Sequence, residues 1–510
     1  MRHTFLGTVV LFTIASSAAL LPSAASAQFS TDPLAPLALS ATAADDVQPK
    51  IAAAPDGGHY VSFFSGTGYD VMLTRLAADG SAVWKAGSIL VKDRASSSTT
   101  DYGLASDALG NAYVAYDMPT GIEVAAFASN GTLSWTKVVT ASADAMVGRV
   151  NVASDGAIWV AHNQGATTRV QRFDAAGTAT FATPLTISET GATQWASDLQ
   201  PSTNGAMIIS CHRYVTFMGA KILRAHRIEA DGTKPWAAIG VSVFTTGSLQ
   251  IANFPTFIPD GSGGAYFCWY TTTPLQSMVQ HMTAAGTMDY GVAGLAVTST
   301  ATGYNRTGPS MVLGSDSKLY VFWSQQVPNT SNYGVFGQCF SKGARQWGTN
   351  GVAVEPMSTT MYSRDFATAT RVGDGVACHY VENISAVTAR IRTAGVSGAG
   401  AVLWTSDLAT NGGTKYRLSS ASAAESGSLL VWQGGSTGAS DVFAARIGAD
   451  GVVGPPASGG VIGDLDGDGV VAASDLSILL SQWGASGTAD LDSDGVVGAA
   501  DLSILLGAWS

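Results

Sequence analysis

Charge is what this sequence has least of. Asp, Glu, Lys and Arg make up 12% of its 510 residues, about half the usual share for a soluble domain. Lys and Arg number 26 and are scattered along the chain, so no basic cluster is available to track a phosphate backbone, and nucleic acid is not expected as a partner. Cysteine is scarcer still: Cys211, Cys268, Cys339 and Cys378, with no C-x-x-C pair and no Cys/His spacing that suits zinc. Three of them stand in apolar strand-like runs, IISCHR, YFCWY and VACHY, which reads as small core residues with free thiols rather than a disulfide framework. Catalytic spacings are missing too. His162 and His379 have no nucleophile and acid at recognisable intervals. The adjacent pairs Cys211-His212 and Cys378-His379 would point to opposite faces of a strand.

The one long apolar run lies at the start. Arg2 and His3 precede a mostly apolar stretch from Phe5 to Leu21, followed by Ala25-Ser26-Ala27. That order matches a secretory signal peptide over residues 1–27, with a mature chain beginning near Gln28. Export to the extracellular space or cell surface is therefore expected. No later run is long and apolar enough to span a bilayer.

What the chain does have is repetition. Between about residues 46 and 453 a Gly-bearing turn is followed eight times by an alternating apolar strand, as in DGGHYVSFF from Asp56, DGAIWVAH from Asp155 and GGAYFCWY from Gly263. A second strand then ends in another Gly turn, often with an aromatic four residues on: Gly80 with Trp84, Gly131 with Trp135, Gly177 with Phe181, Gly232 with Trp236, Gly286 with Tyr290, Gly343 with Trp347. The last two turns are placed at Gly395 and Gly451, without the aromatic. Period-2 strands bounded by Gly, Asn and Asp turns, four to a unit of about 50 residues, predict an all-β fold: an eight-bladed β-propeller of four-stranded blades over residues 28–453. Seven blades is the alternative if one weak copy is absorbed elsewhere. The final unit stops after Gly451 one strand short, while the segment Pro36 to Ser40 (PLALS) has no unit of its own. This orphan is expected to complete the last blade and close the ring, which leaves only short, protected sheet edges.

Aligning the strands that follow the turns puts Phe63, Tyr116, His162, Cys211, Trp269, Trp323, His379 and Trp432 at one structural position. A ring of aromatics could stack on sugars, but one bulky residue per blade is also what wedge-shaped packing demands, and core is the preferred reading.

The last 48 residues concentrate the acid. They hold eight Asp and no Lys, Arg or Glu, leaving −3 of the net −11 for the other 462 residues. A 12-residue loop occurs twice, 26 residues apart. The first copy offers Asp464, Asp466, Asp468, Val470 and Asp475, and the second Asp490, Asp492, Asp494, Val496 and Asp501. Carboxylates at positions 1, 3, 5 and 12, a backbone carbonyl at 7 and Gly at 6 (Gly469, Gly495) form the oxygen cage that calcium takes, so two Ca2+ ions are expected. Each loop runs into a short helix with an apolar stripe, Leu476, Leu479, Leu480 and Trp483, then Leu502, Leu505, Leu506 and Trp509. A Gly/Pro/Ser linker over residues 454–462 precedes this α-helical domain at 463–510.

Two resemblances follow from these motifs. The turn-plus-Trp repeat resembles quinoprotein-like propeller repeats of bacteria, and more closely the Trp- and Gly-rich repeats of secreted bacterial proteins, which implies the fold and no cofactor. In two turns, Asp79 to Trp84 and Asp231 to Trp236, the Asp-to-Trp spacing of sialidase Asp boxes is kept, with Gly one place early. The duplicated acidic loop with its exiting helix resembles a type I dockerin module. That resemblance implies a cohesin-like or cell-surface protein as partner and a polysaccharide-related assembly as setting. Where many dockerins have Ser-Thr at loop positions 10 and 11, this chain has Ala473-Ser474 and Ala499-Ala500. Two functions are expected from this composition. The first is a secreted calcium-binding protein whose non-catalytic propeller binds or builds, tethered through its tail. The alternative is a polysaccharide-degrading propeller enzyme, a glycoside hydrolase or lyase, carrying the same tail.

Overall fold

The computed structural model describes residues 28–456, except 41, 86, 97–98, 251–252, 300–302, 424–425 and 437, together with 463, 465, 471–485, 487, 489–491 and 496–509. The expected signal peptide, most of the linker, and Asp464, Asp466, Asp468, Val470, Asp492 and Asp494 lie outside the described residues.

The Gly turns do what their spacing predicts. In the first blade Val47–Ala53, His59–Ser65, Asp70–Leu76 and Ser88–Lys92 pair antiparallel in chain order. Eight such sheets follow one another. Their first strands are Val47–Ala53, Gly103–Ser106, Ala145–Val152, Thr193–Pro201, Phe257–Pro259, Asn305–Leu313, Ser363–Val372 and Thr414–Ser422. Each first strand contacts the first strand of the next blade, the eighth returning to the first, so these strands form the inner ring of an eight-bladed β-propeller. In the sixth blade the outermost strand is split into two pieces, Ala344–Arg345 and Val352–Ser358, both on Tyr333–Ser341. Closure is as expected: Leu37–Ala38 pairs antiparallel with Ala439–Ile447 as the outer strand of the eighth blade, Leu37 opposite Ala444 and Ala38 opposite Phe443.

The aromatic after each turn stitches one blade to the next. The Nε1–H of Trp84 donates to Ser129 O at 2.9 Å, that of Trp236 to Ala284 O at 2.8 Å and that of Trp404 to Ala449 O at 2.8 Å. Each ring lies on the next blade's turn glycine. A Cβ on Gly286 would come within 2.8 Å of Trp236, and one on Gly451 within 2.6 Å of Trp404. The seventh turn lies five residues later than expected. Its glycine is Gly400, which lies under Trp347, and its aromatic is Trp404, four residues on. Gly395 is instead a strand residue opposite Trp404, whose ring would stand 2.3 Å from an added Cβ. Only the eighth turn lacks its own aromatic, and Phe29 takes that place, 2.7 Å from a Cβ on Gly80, its N–H donating to Asp79 O at 2.9 Å. The ring is thus closed twice at the N-terminus, by a strand and by an aromatic.

The eight aligned residues from Phe63 to Trp432 are all 2% exposed or less, so that position is core. The four cysteines are buried free thiols. Beyond the propeller, α1 (Ala473–Ser481) and α2 (Ala499–Gly507) are nine residues each and contact one another. Their apolar stripes split: Leu479 and Leu505 are buried with Val471, Ala489 and Val497, while Leu480, Trp483, Leu506 and Trp509 are exposed. Two helices this short cover only one row of side chains. Among the described residues no helix is long and apolar enough to cross a membrane.

Candidate ligand-binding face

Antiparallel order gives the propeller two unlike faces. Tight Asp-Gly turns close one. The other holds the hairpins between second and third strands and the longer connections that cross from blade to blade. Among the described residues of the propeller, the exposed aromatic side chains are Phe217, Tyr304, Tyr362 and Tyr416, and all four stand on this crossover face. Phe217 sits in the hairpin between Met207–Tyr214 and Lys221–Ile228. Tyr304 precedes Asn305–Leu313, Tyr362 precedes Ser363–Val372, and Tyr416 lies near the start of Thr414–Ser422. Three tyrosines therefore mark the entry to the inner strands of three consecutive blades.

A cation is buried beside each of them. Arg306, Arg364 and Lys415 are 1–2% exposed. Arg306 lies 5.5 Å from the Tyr304 ring and donates to Gln276 Oε1 and Gln325 Oε1. Burial pushes its guanidinium below the usual range. Lys415 donates to the carbonyls of Ala389 and Asn411, and burial pushes its ammonium down to about 8. Neither forms an ion pair among the described residues. Arg364 differs, being matched by Glu382 at 2.8 Å and more distantly by Glu355. Across the ring two inner cations share one carboxylate. Asp101 bridges Lys50 and Arg149. Burial alone would raise its carboxyl, but these two cations outweigh burial and hold it well below the usual range.

Beside Tyr416, between the eighth and first blades, lies an open cleft of ≈ 540 Å³ lined by Val47, Gln48, Tyr69, Thr99, Tyr416, Arg417 and Gln433. Three of these non-glycine residues hold left-handed backbone: Gln48 at φ 55°, Tyr69 at φ 51° and Arg417 at φ 53°. Each costs on the order of 1–3 kcal/mol, which persists only where surrounding structure enforces it. The enforcement is visible. Bulges interrupt the pairing of the first strand on either side, between Val47 and Lys50 and between Tyr416 and Ser419. The Tyr102 hydroxyl donates to Gln48 O at 3.1 Å, and the Gln48 amide to Thr99 Oγ1 at 2.7 Å. Arg94, buried against Phe64 and paired with Asp117 at 3.0 Å, donates to Tyr69 O. Arg417 is exposed and makes no ion pair among the described residues.

The turn face carries a different cluster. His281 Nδ1 lies 2.5 Å from Asp289 and Nε2 3.0 Å from Asp260, with the ring stacked on Tyr266 at 4.4 Å. Burial would lower this imidazole, but the two carboxylates outweigh it and raise it. Burial would raise Asp260, but the hydrogen bonds from His281, Ser262 and Gly264 together outweigh it and hold the carboxyl at about 2. Burial lowers the other described histidines, His162 and His212 to about 4, His226 and His379 to about 3, and His59 in the same direction.

Of the proposed calcium ligands, Asp475, Asp490, Val496 and Asp501 are described. Asp475 and Asp501 are buried at the third residue of their helices. Asp475 accepts the Leu465 N–H at 2.6 Å and the Ala472 N–H at 2.8 Å. Asp501 accepts those of Leu491 at 2.6 Å and Gly498 at 2.7 Å. Each carboxylate thus caps a helix N-terminus and ties the loop's second residue to it, and carboxylate oxygen is the donor type that a hard cation takes. Among the described residues no three His, Cys, Asp or Glu side chains gather as a metal site.

No family model and no curated protein matches the chain. Solved structures with a similar layout include the polysaccharide lyase Uly1, 10% identical at TM-score 0.42 over 77% of this chain and 88% of that one. A second is an ulvan lyase bound to a GlcA(1-4)Rha3S unit, 11% identical at 0.41 over 82% and 96%. A third is a prolyl endopeptidase, 9% identical at 0.43 over 78% and 55%. At these values none bears on what this chain does.

Sequence reasoning looked for sugar-stacking residues in the repeated strand and missed the crossover face. A signal did exist: Tyr304-Asn305-Arg306 and Tyr362-Ser363-Arg364 repeat Tyr-x-Arg one blade apart.

Proposed function

We propose that this chain is a secreted, non-catalytic propeller that binds polysaccharide on its crossover face and is tethered through a calcium-dependent tail. The observation that carries the reading is the gathering of every exposed propeller aromatic among the described residues on one face, three of them at consecutive inner strands. Tyrosine offers a flat apolar ring with a polar edge, held at low entropic cost, which suits the face of a sugar ring. In the tail, Asp464, Asp466, Asp468 and Asp475 with the Val470 carbonyl would hold one Ca2+. Asp490, Asp492, Asp494 and Asp501 with the Val496 carbonyl would hold the other. Calcium there offsets the crowding of four carboxylates and ties each loop to its helix. The partner expected for the tail is a cohesin-like or cell-surface protein.

A second reading, cleavage of the bound chain on the same face, is favoured by the open cleft beside Tyr416, where the hydroxyls of Tyr69 and Tyr416 come to one site as candidate proton donors. One experiment separates the two. The full chain is incubated with a panel of soluble polysaccharides, and both retention of protein and new chain ends are measured. Retention without new ends supports binding alone. New ends that vanish in Tyr416→Ala establish the enzyme, and neither signal removes both.

A further inference from the structure

We infer that the seam of the ring holds a hard divalent cation, calcium, between the carboxylates of Asp46 and Asp441, where it ties the N-terminal strap to the eighth blade. This site is separate from the two expected in the tail, and the inference rests neither on them nor on sugar binding.

The strap carries it. After Leu37–Ala38 the chain keeps to the edge of Ala439–Ile447. The Leu39 N–H donates to Val442 O at 2.8 Å, the Val442 N–H to Ser40 Oγ at 2.9 Å and the Asp46 N–H to Ser440 O at 2.7 Å. The chain then enters the first inner strand at Val47. Three carboxylates stand along this joint, Asp45 and Asp46 on the strap and Asp441 on the strand. None of the three forms an ion pair with Lys, Arg or His among the described residues.

Neutral groups account for only part of these oxygens. Asp45 Oδ1 accepts both the N–H and the hydroxyl of Ser440, at 3.0 and 2.7 Å. Thr42 lies between the other two carboxylates. Its N–H donates to Asp441, and its hydroxyl lies 2.9 Å from Asp46 Oδ2 and 3.0 Å from Ala44 O. One hydroxyl proton serves only one of those acceptors. Asp46 is 0% exposed, yet its Oδ1 has no hydrogen-bond partner among the described residues. Asp441 Oδ1, also shielded from solvent, has none either.

A buried carboxylate oxygen without a donor carries the desolvation cost of a charged group, and two carboxylates gripping one residue also repel. Buried charges persist where they are paired or coordinate a metal. Burial and then the Asp46 charge raise the Asp441 carboxyl, the direction of a group short of a cation. With no ammonium or guanidinium paired at the joint, a metal ion supplies the charge. The donors are carboxylate, hydroxyl and carbonyl oxygens, which suit calcium, with water completing the roughly six to eight ligands it takes. Two open carboxylates hold an ion less tightly than a loop of four, so binding is expected at roughly millimolar calcium.

The test uses chelator-stripped full chain carrying Asp466→Ala and Asp492→Ala, which disable both tail loops. It is melted with and without calcium at about 5 mM. The propeller's transition should rise by at least about 2 °C with calcium, the scale of one saturated site. Calorimetric titration of the same chain should find one ion. Asp46→Asn and Asp441→Asn, added singly, should each abolish the rise and the ion. In both, the new amide can donate to the remaining carboxylate, so without calcium each should melt no lower than its parent. Absence of either the rise or the ion overturns the inference, as does a response that survives either Asn substitution. Those results leave the tail untouched, because its two ions are counted by comparison with the unsubstituted chain. An unsubstituted chain that binds only the same single ion upholds the seam site and dismisses the tail sites.

Discussion

At the scale of single residues, the histidines decide how the propeller responds to acid. His59, His162, His212, His226 and His379 are buried neutral, their folded pKa values below the usual 6.5. As pH falls through 6.5 the unfolded chain takes up protons that the folded chain refuses, so stability falls from pH 6.5 towards 4. Each such histidine contributes a slope of up to about 1.4 kcal/mol per pH unit. His281 works oppositely. Its folded pKa is raised, so its contribution is complete below 6.5 and is lost as pH rises through the folded value. Melting temperature followed from pH 4 to 9 should drop on the acid side, and His281→Gln should remove a loss on the alkaline side. An acid limb as flat as the neutral plateau would contradict the burial of these imidazoles. Packing of the repeated large residues was legible in the sequence because one position recurs every blade. The tyrosine rim was not, because its residues lie in crossover segments whose lengths differ between blades, and Tyr416 and Arg417 share no register with Tyr304 and Tyr362.

At the scale of elements, the stitch between blades is the unit of stability. Trp236 is 3% exposed, bonded to Ala284 O and seated on Gly286. Trp236→Ala is expected to cost about 3–5 kcal/mol in denaturant unfolding. Gly286 holds φ 79° with no room for a Cβ, so Gly286→Ala should destabilise as well. Phe29→Ala should cost about as much as Trp236→Ala, because residue 29 replaces the missing aromatic of the eighth turn at the seam of the ring. A cost below about 1 kcal/mol, the scale of a surface change, would show that the seam closes through Leu37–Ala38 alone. The strand at the seam was legible as an unclaimed apolar run. Phe29 was not, since a lone aromatic outside any repeat has no spacing to betray it. Gly395 was misplaced as a turn for a physical reason: two needs for a missing Cβ, a turn at Gly400 and a ring face at Gly395, fall five residues apart in one segment.

At the scale of the whole molecule, a propeller with a tyrosine-bearing mouth is joined to an acidic tail. For the tail, chelator-stripped full chain titrated with calcium should bind two ions there, and Asp466→Ala or Asp492→Ala should each leave one of the two. No binding at millimolar calcium would dismiss the metal. The count of carboxylates per loop was legible residue by residue, whereas the exposure of Trp483 and Trp509 was not, because a stripe at helical spacing does not say how much of it a second short helix can cover. For the propeller, the binding of sugar by the rim of the sixth to eighth blades is tested most directly by polysaccharide retardation of the triple variant Tyr304→Ala, Tyr362→Ala, Tyr416→Ala beside the parent chain. All three side chains are exposed, so the variant should keep the parent's melting temperature and lose at least tenfold in retardation, roughly the scale of one to three kcal/mol per lost aromatic–ring contact. A variant that melts like the parent and is retarded equally would contradict the assignment of this face.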